Sequence, residues 1–217
     1  MREPGLPNRV ADLEEDAVLT IVRQRLAAGE DPLAIIYECD AGMRIVGKRY
    51  EEGEYYIAAL IMAGEILRQV VELVKPHLTV ETTDETLGHV VLGTVQGDIH
   101  DIGKDIFSML LACHGFSVED LGVDVEPAAF VQATLEGGPD VVALSGLLTS
   151  SYDSMRTTVA RLREAMVGWP SPPPVIIGGG RIDHEICRYV GADHWTDQAM
   201  AGVHLCEQII ERRDPTP

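Results

Sequence analysis

Apolar residues recur with two different periods along this chain, and the change of period divides it. From Leu13 to Ala28 the positions Ala17, Val18, Ile21, Val22 and Leu26 mark one face of a helix that Gly29 stops. Asp31 then offers an N-cap and Pro32 a first helical residue. The spacing of Ile35, Ile36, Met43, Val46 and Tyr50 predicts a second helix ending near Gly53. A third runs from about Glu54 to Val74 on Ile57, Leu60, Ile61, Leu67 and Val71, and Pro76 closes it. Helices joined by such short turns pack as an antiparallel bundle. Residues 1–12, rich in proline and polar groups, are expected to form a loose tail.

Residues 77–87 are polar and unpatterned and read as a linker. Beyond it, strand and helix patterns alternate. His89–Val95 is a run of apolar and β-branched residues, followed by Ile102, Ile106, Met109 and Leu110 at helical spacing. Strands are further expected at Ser117–Leu121, Val141–Leu144, Val175–Ile177 and around Asp193–Trp195. Between them lie a helix opened by Pro127, one from about Asp153 to Met166, a short one after Asp183 and a last one from Ala199 to Glu211. Five strands alternating with helices imply an α/β domain over residues 88–217. Its sheet should be parallel and its strand order flavodoxin-like, a Rossmann-like arrangement preceded by the helical bundle of residues 13–76.

Composition narrows the function classes. Hydrophobic residues make up 46% of the chain, enough for a real core. A formal charge of −18 argues against nucleic acid or an anionic membrane as partner, because phosphate contacts need clustered Lys and Arg. The four cysteines, Cys39, Cys113, Cys187 and Cys206, have no metal-ligand spacing and read as small buried residues in a reducing compartment. No stretch has the apolar core of a signal peptide or the length of a membrane span, so the default location is cytoplasmic.

The chemistry centres on Gly97-Asp98-Ile99-His100-Asp101-Ile102-Gly103-Lys104, a strand-to-helix loop at the carboxyl edge of the sheet, where open α/β folds place ligands. Asp98 and His100 are two residues apart, so in an extended loop both side chains point to one side. The carboxylate can then fix one ring nitrogen and leave the other facing outward as a transition-metal ligand. A helix-capping Asp101 with turn glycines at 97 and 103 is the alternative reading of the same residues.

The stretch resembles the cobalamin-binding motif Asp-x-His-x-x-Gly, matched by Asp98, His100 and Gly103. Ser145-Gly146-Leu147 resembles the family's Ser-x-Leu element, Gly178-Gly179 its glycine pair, and the segment from Gly42 to Pro76 the helical cap of methionine synthase and corrinoid methyl carriers. Family caps have four helices, so the first is here either a short turn near Val10 or missing.

The resemblance implies a corrinoid methyl carrier holding cobalamin or a related cobamide. His100 would be the lower axial ligand of cobalt, Asp98 would hold its second nitrogen, and Ser151 would hydrogen-bond Asp98 as a relay. Asp101, Ile102 and Gly103 would join the cofactor-binding loop. Ser145, Leu147, Thr149, Gly178 and Gly179 would line the slot for the cofactor tail, with Tyr56 and Met62 shielding the upper face. For Ser151 and Thr149 helix capping is the alternative, and for Tyr56 and Met62 core packing. The implied partners are a substrate-specific methyltransferase, loading methyl from methanol, a methylamine or a methoxy-aromatic, and a second, methyl-accepting one. The rival reading, a cobalamin-dependent sensor, is disfavoured because the cap has no Trp and no Glu-His pair.

Overall fold

A computed structural model describes residues 5–78 and 86–213. The chain divides into two compact units, residues 1–79 and 80–217. Most of the expected linker, residues 79–85, lies outside the described residues.

The first unit is helical: α1 (Leu6–Ala11), α2 (Glu15–Ala27), α3 (Pro32–Glu51) and α4 (Ile57–Val74), with a single 3₁₀ turn at Lys75–His77. Asp31 caps α3 as its position predicts, its carboxylate accepting the Leu33 N–H at 3.0 Å. The loose tail expected for residues 1–12 is corrected. Leu6 to Ala11 form a helix with Leu6, Val10 and Ala11 buried, which supplies the short first helix of the cap. Six residues are too few to display a helical period. The packing of α1 on α3 depends on Gly42: a Cβ there would stand 2.6 Å from Val10 Cβ and 2.7 Å from the Pro7 carbonyl oxygen.

Arg49 ties this corner together. Its guanidinium donates to the Ala11 carbonyl at 2.7 Å and to Asp12 Oδ1 at 2.8 Å, while the Tyr55 hydroxyl donates to the same carbonyl at 2.8 Å. Inward faces differ in detail from the periodic reading. In α3, Cys39 and Gly42 are buried beside Ile35, Ile36 and Val46, and Tyr50 is exposed. In α4 the buried set is Ala59, Ala63, Ile66, Leu67, Val70 and Val74, whereas Ile57 and Ile61 are 65% and 68% exposed.

The second unit contains β1 (Gly88–Thr94), α5 (Ile102–Cys113), β2 (Phe116–Asp120), α6 (Pro127–Gly137), β3 (Val141–Ser145), α7 (Ser151–Ala165), β4 (Val175–Gly178), α8 (His184–Val190), β5 (His194–Thr196) and α9 (Ala199–Arg213). All strand pairs are parallel, in the order β2-β1-β3-β4-β5, the flavodoxin-like order that the alternation predicts. On one face Val91, Val142, Leu144, Val175 and Ile177 pack with Phe130, Met155, Val159 and Leu162 from α6 and α7. The alternate residues Val90, Leu92, Ala143 and Ile176 are buried too, as strands covered on both faces require. Strand order reverses between β1 and β3, so the loops after those strands diverge and leave a crevice at their carboxyl ends.

Gly42→Ala is expected to destabilise the first unit by about 1–3 kcal/mol through overpacking against α1. Gly47→Ala, on the same helix with nothing within 4 Å of the added Cβ, is the control and should cost nothing. Thermal unfolding followed by circular dichroism distinguishes them; equal midpoints would mean that α1 does not pack at Gly42.

Candidate functional site

The crevice is built by backbone groups as much as by side chains. Thr94, Ser145 and Gly178 stand abreast in the register of β1, β3 and β4, so the three loops that follow leave the sheet at one level. The loop after β1 folds back through the Asp98 N–H to the Val95 carbonyl at 3.1 Å, which turns the Asp98 side chain inward, where it is fully buried.

A buried carboxylate must have its lone pairs filled. Oδ2 of Asp98 accepts the backbone N–H groups of Leu147 and Leu148 at 2.7 and 3.0 Å, both from the loop after β3. Oδ1 accepts the His100 N–H at 3.1 Å and lies 2.6 Å from His100 Nδ1. Burial alone would raise the Asp98 pKa, but the N–H groups of Leu148, His100 and Leu147 and the His100 ring outweigh it and hold it at about 2.

An ionised carboxylate only accepts, so Nδ1 of His100 carries the proton and donates. In the neutral ring this leaves the lone pair on Nε2, on a side chain that is 48% exposed. This is the arrangement in which a carboxylate fixes tautomer and orientation of a metal-binding imidazole.

The expected hydrogen bond from Ser151 to Asp98 is replaced by another. Four donors already occupy the carboxylate, and the Ser151 hydroxyl, buried at the start of α7, donates to the Leu148 carbonyl at 2.5 Å. Ser151 thus reaches Asp98 only through Leu148, which accepts from one and donates to the other. Asp101 stands at the N-cap position of α5 with no side-chain capping bond, and its carbonyl accepts the Asp105 N–H at 2.8 Å. Thr149 is exposed in the loop before α7. Tyr56 and Met62 belong to the first unit, where both are exposed, Tyr56 by 82%. The core-packing alternative for these two is therefore excluded within that unit.

The two glycines after β4 differ in kind. A Cβ on Gly179, which has φ +153°, would stand 2.1 Å from the Gly146 carbonyl oxygen, so the chain itself requires that glycine. At Gly178 the nearest atom would be 3.7 Å away, and at Gly103 nothing lies within 4 Å. The protein's own packing does not demand glycine there, and both positions leave room for a ligand to approach the backbone.

Among the described residues no group of three or more His, Cys, Asp or Glu is arranged to hold a metal ion. A metal on His100 would therefore bring its remaining ligands with it, as the metal of a prosthetic group does. The rim suits such a group: Ile99, Val123, Leu147 and Leu148 expose apolar side chains on the loops that carry the polar contacts. The donor set and the open glycines thus fit a cobamide held by His100.

Three contributors escape a reading of side-chain motifs: the N–H group of Leu148, the Thr94 hydroxyl, which donates to the His100 carbonyl at 3.1 Å, and Asp124, which bonds the loop from the side of β2. Backbone donors carry no residue signature. Thr94 and Asp124 read as an ordinary strand residue and an ordinary turn residue.

Because the Asp98 pKa is lowered by folding, its contribution is complete above the unfolded value near 4 and is lost as pH falls through about 2. Asp98→Asn should remove on the order of 2 kcal/mol of stability at pH 5. The gap between natural chain and variant should narrow between pH 4 and 2, measured by urea unfolding. A gap that stays constant down to pH 2 would show that Asp98 is not held ionised in the folded protein.

Comparison with known proteins agrees with this site. A B12 binding domain matches residues 88–203, and a second B12 binding domain pattern matches residues 5–75. The chain is 33% identical over 203 residues to trimethylamine corrinoid protein 1 of Methanosarcina acetivorans, covering 93% of both chains. Among solved structures, the monomethylamine corrinoid protein of Methanosarcina barkeri superposes with a TM-score of 0.85 at 26% identity, covering 94% of this chain and 96% of that one. The methanol:cobalamin methyltransferase complex of the same organism matches with a TM-score of 0.51 at 25% identity, over 94% of this chain and 78% of the other. The chain therefore belongs to the B12-binding family, and the cofactor it binds is a cobalamin or a related cobamide.

Proposed function

We propose that this protein is the methyl-carrying subunit of a methyltransferase system whose donor is a methylamine. The observation that carries the reading is the Asp98–His100 pair, with the carboxylate saturated and Nε2 left free at the crevice. When bound, a cobamide supplies a cobalt centre able to accept and release a methyl group.

The chain's own part is to present and withdraw one nitrogen. With Nδ1–H donating to Asp98, the ring is held in one tautomer and Nε2 serves as a neutral ligand. When Nε2 is disengaged it can take a proton, and the ionised Asp98 stands ready to pair with the imidazolium. Ser151 steadies this pair by fixing the Leu148 carbonyl, which keeps the Leu147 and Leu148 N–H groups aimed at Asp98. Gly103 and Gly178 leave the approach open, Ser145 and Leu147 flank it, and Asp101, Ile102 and Thr149 complete its polar and apolar edge. Tyr56, just before α4, and Met62, within it, expose their side chains on the first unit.

Two partners complete the reaction, a donor-specific methyltransferase and a second one that takes the methyl group. The family relative named for trimethylamine and the structural neighbour named for monomethylamine support an amine donor over methanol or a methoxy-aromatic. The methanol complex supports the expectation of a methyltransferase as direct partner.

After loading with cobalamin, the natural chain should retain the corrinoid, and His100→Ala should shift its visible absorption. Retention by neither protein would sink the cofactor reading. Paired with methyltransferases specific for methanol and for each methylamine, the loaded chain should be methylated with an amine; methylation with methanol alone would overturn the choice of donor.

A further inference from the structure

The loop that bears His100 has almost nothing apolar to hold it. From Gln96 to His100 every residue except Asp98 is exposed, and Ile99, its one aliphatic side chain, points to solvent. Gly97 adopts φ +85° with nothing within 4 Å of where a Cβ would be. Without a hydrophobic anchor, the loop takes its shape from hydrogen bonds.

Besides those that Asp98 itself makes, two residues outside the motif supply them. Asp124, on the loop between β2 and α6, engages the motif twice: its carboxylate accepts the Gly97 N–H at 2.7 Å, and its own N–H donates to the Asp98 carbonyl at 3.0 Å. It does so at φ +54°, a left-handed conformation that few residues other than glycine adopt. Its neighbours pin the loop to β1, through the Thr94 N–H to the Gly122 carbonyl and the Val125 N–H to the Thr94 carbonyl, each at 2.9 Å. Thr94 itself, fully buried, sends its hydroxyl to the His100 carbonyl at 3.1 Å. The backbone is thus gripped on both sides of Ile99, at Gly97–Asp98 by Asp124 and at His100 by Thr94. Strain kept at a position touching a functional loop is a mark of that loop's demands.

We propose that Asp124 and Thr94 are positioning residues that hold the Asp98–His100 loop in the shape that keeps Nε2 of His100 on the cobalt of the bound cofactor. The inference rests on the reading that His100 is the cobalt ligand. Asp124 acts through the backbone of Gly97 and Asp98, and Thr94 through the carbonyl of His100, so neither needs to touch the cofactor. Thr94 is a strand residue whose hydroxyl is replaceable by a methyl group of the same shape. Asp124 is exposed, and glycine accepts its φ, so both can be altered without disturbing the core.

The test uses the full chain, made with nitrogen-15-labelled histidine and loaded with cob(II)alamin, and reads the electron paramagnetic resonance spectrum at neutral pH. A nitrogen-15 axial ligand splits the cobalt lines into doublets, whereas the cofactor's own unlabelled base gives triplets. The natural chain and Asp124→Asn, which keeps an acceptor for Gly97, should give doublets. Asp124→Gly and Thr94→Val should each retain the cofactor while the ratio of histidine-bound to histidine-free cobalt falls about tenfold, the scale set by losing one hydrogen bond. Thr94→Val alone carries the test if the glycine variant does not fold. Doublets of natural intensity in Asp124→Gly and Thr94→Val would overturn the positioning role while leaving His100 as ligand. Cofactor retained without doublets in the natural chain would overturn the parent reading, and the inference with it.

Discussion

Everything at this site depends on one carboxylate that is buried and charged at the same time. Removing an ionised group from water costs several kcal/mol unless its lone pairs are met, and an unmet carboxylate neutralises instead. Asp98 stays ionised because four N–H donors converge on it, two from residue 100 and one each from Leu147 and Leu148. Each donor is also a constraint. The loop after β1 and the loop after β3 come from neighbouring strands at the point where strand order reverses, and Asp98 is what fastens them together. Any movement that separated the loops would strip Oδ2 of both its donors and leave only those of His100 on Oδ1.

The same saturation explains the place of Ser151. A hydroxyl competing for Asp98 would have to displace one of the donors already present. Bonding the Leu148 carbonyl lets it stiffen the residue that supplies one of them. The network is therefore a chain, Ser151 to Leu148 to Asp98 to His100, in which a backbone residue stands where a direct side-chain contact is expected. Gly146 belongs to it as well, because a Cβ there would lie 2.6 Å from Ser151 Oγ, and the close approach brings the loop within reach.

How much of this is legible in the sequence follows from what carries each piece of information. The central strands β1, β3 and β4 are buried on both faces and the helices amphipathic, so the α/β order, the parallel sheet and the position of the motif loop can all be read from periodicity. The Asp-x-His spacing brings its pair together because two residues along an extended turn return to one side, and Nδ1 of His100 meets Asp98 at 2.6 Å. Less legible is α1, whose six residues never complete a recognisable period, and whose existence is written instead into Gly42 on another helix. The α4 pattern misleads in a different way: Ile57 and Ile61 are apolar and helical in spacing, yet they turn away from the bundle. Periodicity registers that a face is apolar without saying what covers it. The glycine pair is half legible, since Gly179 is required by the Gly146 backbone and Gly178 by nothing within the chain. Backbone donors such as Leu148 N–H are outside the reach of any residue pattern, because every residue but proline has one.

A division of labour between the two motif side chains follows from their surroundings. Asp98, fully buried and held at about pKa 2, keeps its charge across the whole range in which a cell operates. It therefore cannot serve as the proton store of the pair. His100 is half exposed, with one nitrogen committed to Asp98 and the other open. Whatever the pair exchanges at the crevice is therefore exchanged at Nε2, while Nδ1 stays committed to Asp98. A fixed charge behind an exposed nitrogen lets the ring gain or lose a partner at Nε2 while the buried half of the network stays as it is.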